Sequence, residues 1–298
     1  MPSVKSAQLD WGALAEPIHT AAVEADDPVW QDTAYLSFWD PLADVFGSVH
    51  VCTSPNAPGA RRARVSISVA GRVVEVVEAL AEGTFAGSAI DFGLEGRVVV
   101  DHPAVQAELR TAPLFFAAES RPNPLVSAPV PGRPGGHSQQ ACGVEGVVRL
   151  DGETIATVGH GVRDRTWGFR SEAAQWVEFA ALFTVDSSRF VSATKFRGPD
   201  GAVSAEGFVI EPQGCKAITG ITFARDAAAQ LRCARLELAD ATTRTVSMRS
   251  RVGGFWVPAG QVETDGPAVG LYDDFMLLGD EEWCSGGLFE QAVVHRVV

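Results

Sequence analysis

No two cysteines stand at CxxC spacing, and the five present (Cys52, Cys142, Cys215, Cys233, Cys284) are an odd number scattered over 298 residues. That rules out a complete disulfide framework and reads as small core residues in a reducing compartment. A GxGxxG turn after a strand, a Walker A loop, GxSxG, HExxH and an EF-hand loop are all missing, which removes the usual signatures of nucleotide, redox and zinc chemistry. Six histidines (His19, His50, His102, His137, His160, His295) offer no pair at metal-ligand spacing. Neither a metal nor a cofactor is expected.

Positive charge is also scarce. Lys and Arg number 24 against 37 Asp and Glu, a net charge of -13. No basic run long enough to follow a phosphate backbone breaks that balance, so nucleic acid is not an expected partner. Long apolar runs are lacking too: no segment approaches about 18 uncharged apolar residues, and the N-terminal stretch has no continuous hydrophobic core of a signal peptide. A cytoplasmic protein without stable membrane insertion is the resulting expectation, with homo-oligomerisation left open.

What is present is turn chemistry between short apolar runs: 30 Gly and 17 Pro in a chain that is 46% hydrophobic. Residues 64–69 alternate cleanly, with Val65, Ile67 and Val69 on one face and Arg64, Ser66 and Ser68 on the other, before Ala70-Gly71 turns the chain into 73–79. Residues 141–150 and 153–162 flank Asp151-Gly152 as a second hairpin. At least eight further short strands follow at close spacing, so the fold class is all-β, built of antiparallel barrels or sandwiches that remove exposed edges. Residues 118–136 hold five prolines without apolar periodicity, and proline at that density cannot sit in a sheet ladder. The predicted division is therefore an exposed lead-in or short helix over 1–30, a first β-domain over 31–136 and a second over 137–298.

The densest chemistry is GHGVRDRTWGFR, residues 159–170, where Arg163, Asp164, Arg165, Trp167 and Arg170 crowd the end of a buried strand. Charges in such a place are paired, hydrogen-bonded or used. In an extended strand His160 and Asp164 share a face about 13 Å apart, so they form no direct dyad unless a glycine bulge intervenes. The nearest supply of partners for Asp164 is Arg163, Arg165 or Arg170. Two readings stand: an aspartate locked to arginine, or a general acid or base aimed into a cavity, and they require opposite titration behaviour. Trp167 is a core aromatic or the wall of a ligand site. Glu178, Glu206 and Glu290 sit within strand patterns; Glu290, in GGLFE, joins close backbone approach to an acid. Asp273-Asp274 reads as a rim turn first and a carboxylate pair second.

GHGVRDRTWGFR resembles the G-x-G-x-R-D-[HR]-[ST]-W-G-x-R signature of hydroxyneurosporene synthase-like proteins, relatives of the carotenoid 1,2-hydratases within a wider double-lipocalin group of cyclases. AYLSFWDP and the SPNAPGARRARVSISVAGR hairpin extend the resemblance weakly into the N-terminal half. It implies two lipocalin-like β-domains and a small hydrophobic substrate, of terpenoid, steroid or polyketide type, in an apolar barrel cavity without cofactor. The activity expected is that of a lyase or isomerase: a hydratase, dehydratase or cyclase. Asp164 and Glu290 are then the catalytic candidates. Arg163, Arg165, Trp167, Trp176 and His160 are the binding candidates, with Arg163 or Arg165 setting the acid's ionisation. The competing expectation is a carrier or sensor of lipid-like molecules whose Arg-Asp-Trp cluster is purely structural.

Overall fold

The computed structural model describes residues 9–119, 133–170, 177–198, 200–258, 268–280 and 283–296. After a 3-10 turn at Gly12–Ala15, every regular element but one further 3-10 turn is a strand. The first ten are β1 (Val29–Asp40), β2 (Val45–Thr53), β3 (Arg62–Val69), β4 (Arg72–Ala79), β5 (Ile90–Phe92), β6 (Arg97–His102), β7 (Val105–Pro113), β8 (Ala118–Glu119), β9 (Gly135–Leu150) and β10 (Glu153–Arg170). They form one antiparallel sheet in the order β4-β3-β2-β1-β10-β9-β7-β6-β5, with β8 on β9. The remaining eight are β11 (Glu178–Val185), β12 (Phe190–Arg197), β13 (Val203–Glu211), β14 (Gly214–Arg225), β15 (Leu231–Leu238), β16 (Thr243–Pro258), β17 (Ala268–Gly279) and β18 (Cys284–Arg296). These close into an up-and-down barrel in chain order. The chain is all-β, as the strand patterning predicts, with two lipocalin-like barrels, as the resemblance implies.

Strand membership differs from the predicted division. The hairpin β9–β10, expected to open the second domain, pairs with β7 on one side and β1 on the other, inside the first sheet. Local pattern gives the hairpin but not its neighbours, because pairing partners more than a hundred residues apart leave no mark on spacing. The proline-rich stretch lies largely outside the described residues.

The first sheet curls around an apolar core contributed by its inward rows, including Leu36, Phe38, Val49, Val65, Ile67, Leu109 and Val144. Its edges β4 and β5 meet without a ladder. There the Glu78 carboxylate accepts hydrogen bonds from Ser88 N (2.9 Å), Ser88 Oγ (2.6 Å) and Ile90 N (2.7 Å), capping backbone donors along the seam. The lead-in is largely exposed, as expected, but Trp11 and Leu14 anchor it in that core, 7% and 1% accessible. A second core fills the closed barrel, and a third joins the two, with Trp39, Phe46 and Val162 of the first sheet against Phe183, Phe190, Phe255, Phe275 and Leu288 of the barrel. Among the described residues no helix is long and apolar enough to cross a membrane.

Candidate active site between the two sheets

Strand alternation divides the 159–170 motif between two environments. Arg163 and Arg165 point inward, 1% and 2% exposed, while Asp164 and Thr166 point outward towards the second barrel. The Arg163 guanidinium lies over the rings of Trp11 (4.5 Å) and Phe92 (4.9 Å) and donates to the carbonyls of Leu94 (3.0 Å) and Gly93 (3.1 Å). Burial lowers its pKa to about 10. Arg165 grips Asp32 through Nε (3.1 Å) and Nη2 (2.7 Å) and donates to the carbonyls of Glu16 and Pro17. These two arginines tie the lead-in into the first barrel. They do not set the ionisation of Asp164, contrary to expectation, because the strand presents them on the opposite face.

Trp167 shares the inward face, stacked on His19 at 4.1 Å and tilted against Trp30 at 5.9 Å. It walls the end of the first barrel rather than the face that carries Asp164. The motif's first two glycines have a packing reason: a Cβ at Gly159 would stand 2.1 Å from the Trp39 carbonyl oxygen, and one at Gly161 2.5 Å from that of Ser37. Pairing with β10 runs without a register shift, so no bulge brings His160 to Asp164. His160 sits opposite Trp39, its pKa lowered by burial and partly restored by the charge of Asp186. Trp176 lies outside the described residues.

Asp164 takes two partners from β9 and one from its own strand. His137 Nε2 is 2.5 Å from Oδ2, Gln139 Nε2 donates to the same oxygen at 2.8 Å, and Thr166 Oγ1 donates to Oδ1 at 3.2 Å. The register of the sheet sets Asp164 in a polar row running across five strands: Arg64 on β3, His50 on β2, Tyr35 on β1, Asp164 on β10 and Gln139 on β9. Neighbours in such a row are about 4.8 Å apart. Across the seam the barrel offers its own row in register: Asp273 on β17, Glu290 on β18, Ala181 on β11, Thr194 on β12 and Glu206 on β13. The rows touch where Tyr35 OH donates to Asp273 Oδ2 at 3.4 Å, and one turn of the pleat away Ser192 Oγ donates to Gln139 Oε1 at 2.7 Å.

The electrostatics follow from this confrontation. Asp273 is 1% exposed, and burial pushes its carboxyl up to about 7 although Arg64 and the Tyr35 hydroxyl pull the other way. Glu290 is raised well above the ordinary range by burial and then by the charges of Asp273 and Asp164. Burial and the same acids, Asp273 first and Glu290 next, raise the Tyr35 phenol. For Asp164 burial also acts upward, but the His137 charge and the hydrogen bonds from His137, Gln139 and Thr166 outweigh it and hold its pKa below the usual value. Three carboxylates thus meet at one seam with opposed proton affinities, raised on the barrel side and lowered at Asp164.

The two catalytic candidates named from sequence, Asp164 and Glu290, stand within electrostatic reach of one another although they belong to different sheets. Asp273 and Asp274 are neither a turn nor a pair. Successive strand residues face opposite ways, so Asp273 enters the seam while Asp274 turns into the barrel and accepts from Arg251 Nε at 2.5 Å. Tyr35, His137, Gln139, Ser192 and Arg64 escaped sequence reasoning as site residues. Their only signal was a polar side chain at the outward position of an otherwise apolar strand. At the other end of the seam Trp39, Pro41, Phe46, Val252, Phe275 and Met276 line a small cleft of about 10 Å³, room for about one water molecule. It lies four residues along β1 from Tyr35, beside the carboxylates' row rather than on it.

The arrangement of two packed antiparallel β-barrels is seen in other solved structures. A Nitrosomonas europaea protein carrying the provisional name AttH is 15% identical, with 94% of this chain and 99% of that one aligned and a TM-score of 0.59. CghA, solved with Sch210972, is 12% identical over 97% and 98% of the two chains, TM-score 0.59. Kievitone hydratase from Nectria haematococca is 13% identical over 97% and 96%, TM-score 0.51. At these identities the likeness is one of fold. The chain belongs to the family described as a domain of unknown function, DUF7064, which matches residues 16–268. Comparison with curated proteins gives no match.

Proposed function

We propose that the protein is a cofactor-independent lyase or isomerase that moves protons on an apolar molecule held in the seam between the barrels. The observation that carries this is the opposed ionisation of Asp164 and the Asp273–Glu290 pair around Tyr35. Glu290, kept neutral, is the acid; Asp164, held anionic by His137, is the base. In a dehydration, Asp164 takes a proton from carbon and the departing hydroxyl leaves as water with the proton of Glu290; hydration is the reverse. Phe183, Phe190, Phe255 and Phe275 supply apolar walls. The hydratase activity in the name of the Nectria protein, and the likeness of the 159–170 motif to the hydroxyneurosporene synthase-like signature, support the same class of chemistry.

The test starts from whatever apolar molecule co-purifies, identified by mass spectrometry after extraction. Incubated with that molecule in deuterated water, the wild-type protein should place deuterium on its carbon skeleton, and Asp164→Asn should bind it without exchange. Binding without exchange by the wild type would instead establish the carrier. The Arg165–Asp32 lock, a structural use of the motif, is the feature that favours that second reading.

A further inference from the structure

Ser192 is out of place in its surroundings. On the barrel wall that faces the seam it stands in a cross-strand row with Phe275 on β17, Leu288 on β18, Phe183 on β11 and Phe208 on β13, all of them in the core that joins the two sheets. A hydroxyl sealed at 2% exposure in such a row is costly unless it is hydrogen-bonded. Its partner lies across the seam: Ser192 Oγ donates to Gln139 Oε1 at 2.7 Å, and Nε2 of the same amide donates to Asp164 Oδ2 at 2.8 Å. Only one orientation of that amide serves both neighbours, because the reverse would set its oxygen against a carboxylate oxygen. Ser192 thus acts on Asp164 through Gln139, and only while the two sheets are packed together.

The two oxygens of Asp164 are left unequal. Oδ2 holds His137 Nε2 at 2.5 Å and the Gln139 amide, whereas Oδ1 has a single longer bond, from Thr166 Oγ1 at 3.2 Å. The Asp164 side chain keeps 20% of its surface accessible, although Gln139 beneath it is 5% exposed. Resting on the acid-base reading above, we propose that Gln139 and Ser192 are positioning residues that fix Oδ2 of Asp164 and present Oδ1 as the oxygen that takes the substrate's proton. In a dehydration the carbon–hydrogen bond breaks towards Oδ1, its electron pair forms the double bond, and the hydroxyl leaves as water with the proton of Glu290. Oδ2 keeps both donors throughout, as a charged oxygen before the transfer and as the carbonyl oxygen of a neutral carboxyl after it. A carboxyl pinned through one oxygen holds the other in a fixed direction, which is what proton transfer from carbon requires.

Carbon-13 labelling of the aspartate carboxyls, with Asp164→Asn identifying the signal, reads the Asp164 titration midpoint by NMR without any substrate. Gln139→Met keeps the length of the side chain and removes one of the bonds that hold Asp164 low, so it should raise the midpoint by about one pH unit, the worth of a hydrogen bond to a charged group. Ser192→Ala should raise it by about half a unit, and by nothing further once Gln139→Met is in place, since its route to Asp164 is the amide. If Gln139→Met does not fold, the side-chain amide protons of Gln139 decide: in the wild type their resonances should follow the Asp164 titration, and Ser192→Ala should shift them. A midpoint unmoved by either substitution, a Ser192→Ala effect that persists beside Gln139→Met, or amide protons indifferent to the titration each overturns the assignment while the deuterium test of the acid-base reading can still succeed. Shifted midpoints in a protein that exchanges no deuterium overturn that reading, and with it the role of Oδ1.

Discussion

Asp273→Asn probes the buried acid pair directly, because asparagine keeps the shape of the side chain and has no proton to lose. Asp273 titrates near 7 in the folded protein against an ordinary value of 3.8. The folded state therefore keeps a proton that the unfolded chain releases above about pH 4. The stability tied to that proton is complete below about pH 4 and lost as the pH rises through 7. Three pH units at about 1.4 kcal/mol each give an upper figure of about 4 kcal/mol. Glu290 shares the proton, so the part assigned to Asp273 is about 2–4 kcal/mol. A chain of this size unfolding as one unit has an entropy of about 0.6 kcal/mol/K, which turns that figure into about 3–7 °C of Tm. Calorimetry at a series of pH values between about 4.5 and 8 should show the Tm of Asp273→Asn gaining on the wild type by that amount across the window. Parallel profiles would refute the raised carboxyl.

Other perturbations read other parts of the arrangement. His137→Ala removes the cation that depresses Asp164; a depressed carboxyl stabilises the fold above about pH 4 and loses that stability as pH falls through its lower folded value, so the midpoint of acid unfolding should move to higher pH. An unmoved midpoint would show that the imidazole does not hold Asp164 ionised. Asp32→Asn leaves Arg165 charged and uncompensated inside the first barrel and should cost about 3–5 kcal/mol in urea unfolding; a loss below about 1 kcal/mol would show that the pair does not hold the lead-in. Gly159→Ala drives a methyl into the Trp39 carbonyl and should cost about 1–3 kcal/mol by opening the β1–β10 ladder; a neutral outcome would mean the strands are less closely apposed than the structure has them.

Strand positions were legible because turns such as Ala70-Gly71 and Asp151-Gly152 carry backbone conformations with positive φ that the sequence advertises. Alternation in 64–69 told which residues face inward, and it placed Arg64 outward, but gave no hint of what that outer face would meet. The motif was legible as a concentration of charge and illegible as two separate devices. Knowing that Arg163 and Arg165 face away from Asp164 follows from strand period; knowing that their acceptors are carbonyls of residues 14–17 and 93–94 does not, since a carbonyl has no sequence identity. Asp164 and Glu290 could be named separately. Their proximity depends on how two sheets pack, and no spacing over 126 residues encodes that.

The seam, rather than either barrel interior, is where the described residues can do chemistry. The first barrel is filled from below by the lead-in, with Trp11 and Leu14 in its core and two arginines sealing the carbonyls around them. The second is packed with Leu182, Val209, Leu236, Leu278 and Phe289, and its one buried acid, Asp274, is held by Arg251. Placing the acid on one sheet and the base on the other also explains how their ionisation diverges. Asp164 acquires an imidazole and an amide from β9, while burial raises Asp273 and Glu290 and the charge of Asp273, its cross-strand neighbour, raises Glu290 further. Had both lain on one strand pair, they would have titrated as a single dyad. Held on separate rigid ladders, they keep different proton affinities at the same pH, and a substrate bridging the seam would meet a donor on one wall and an acceptor on the other.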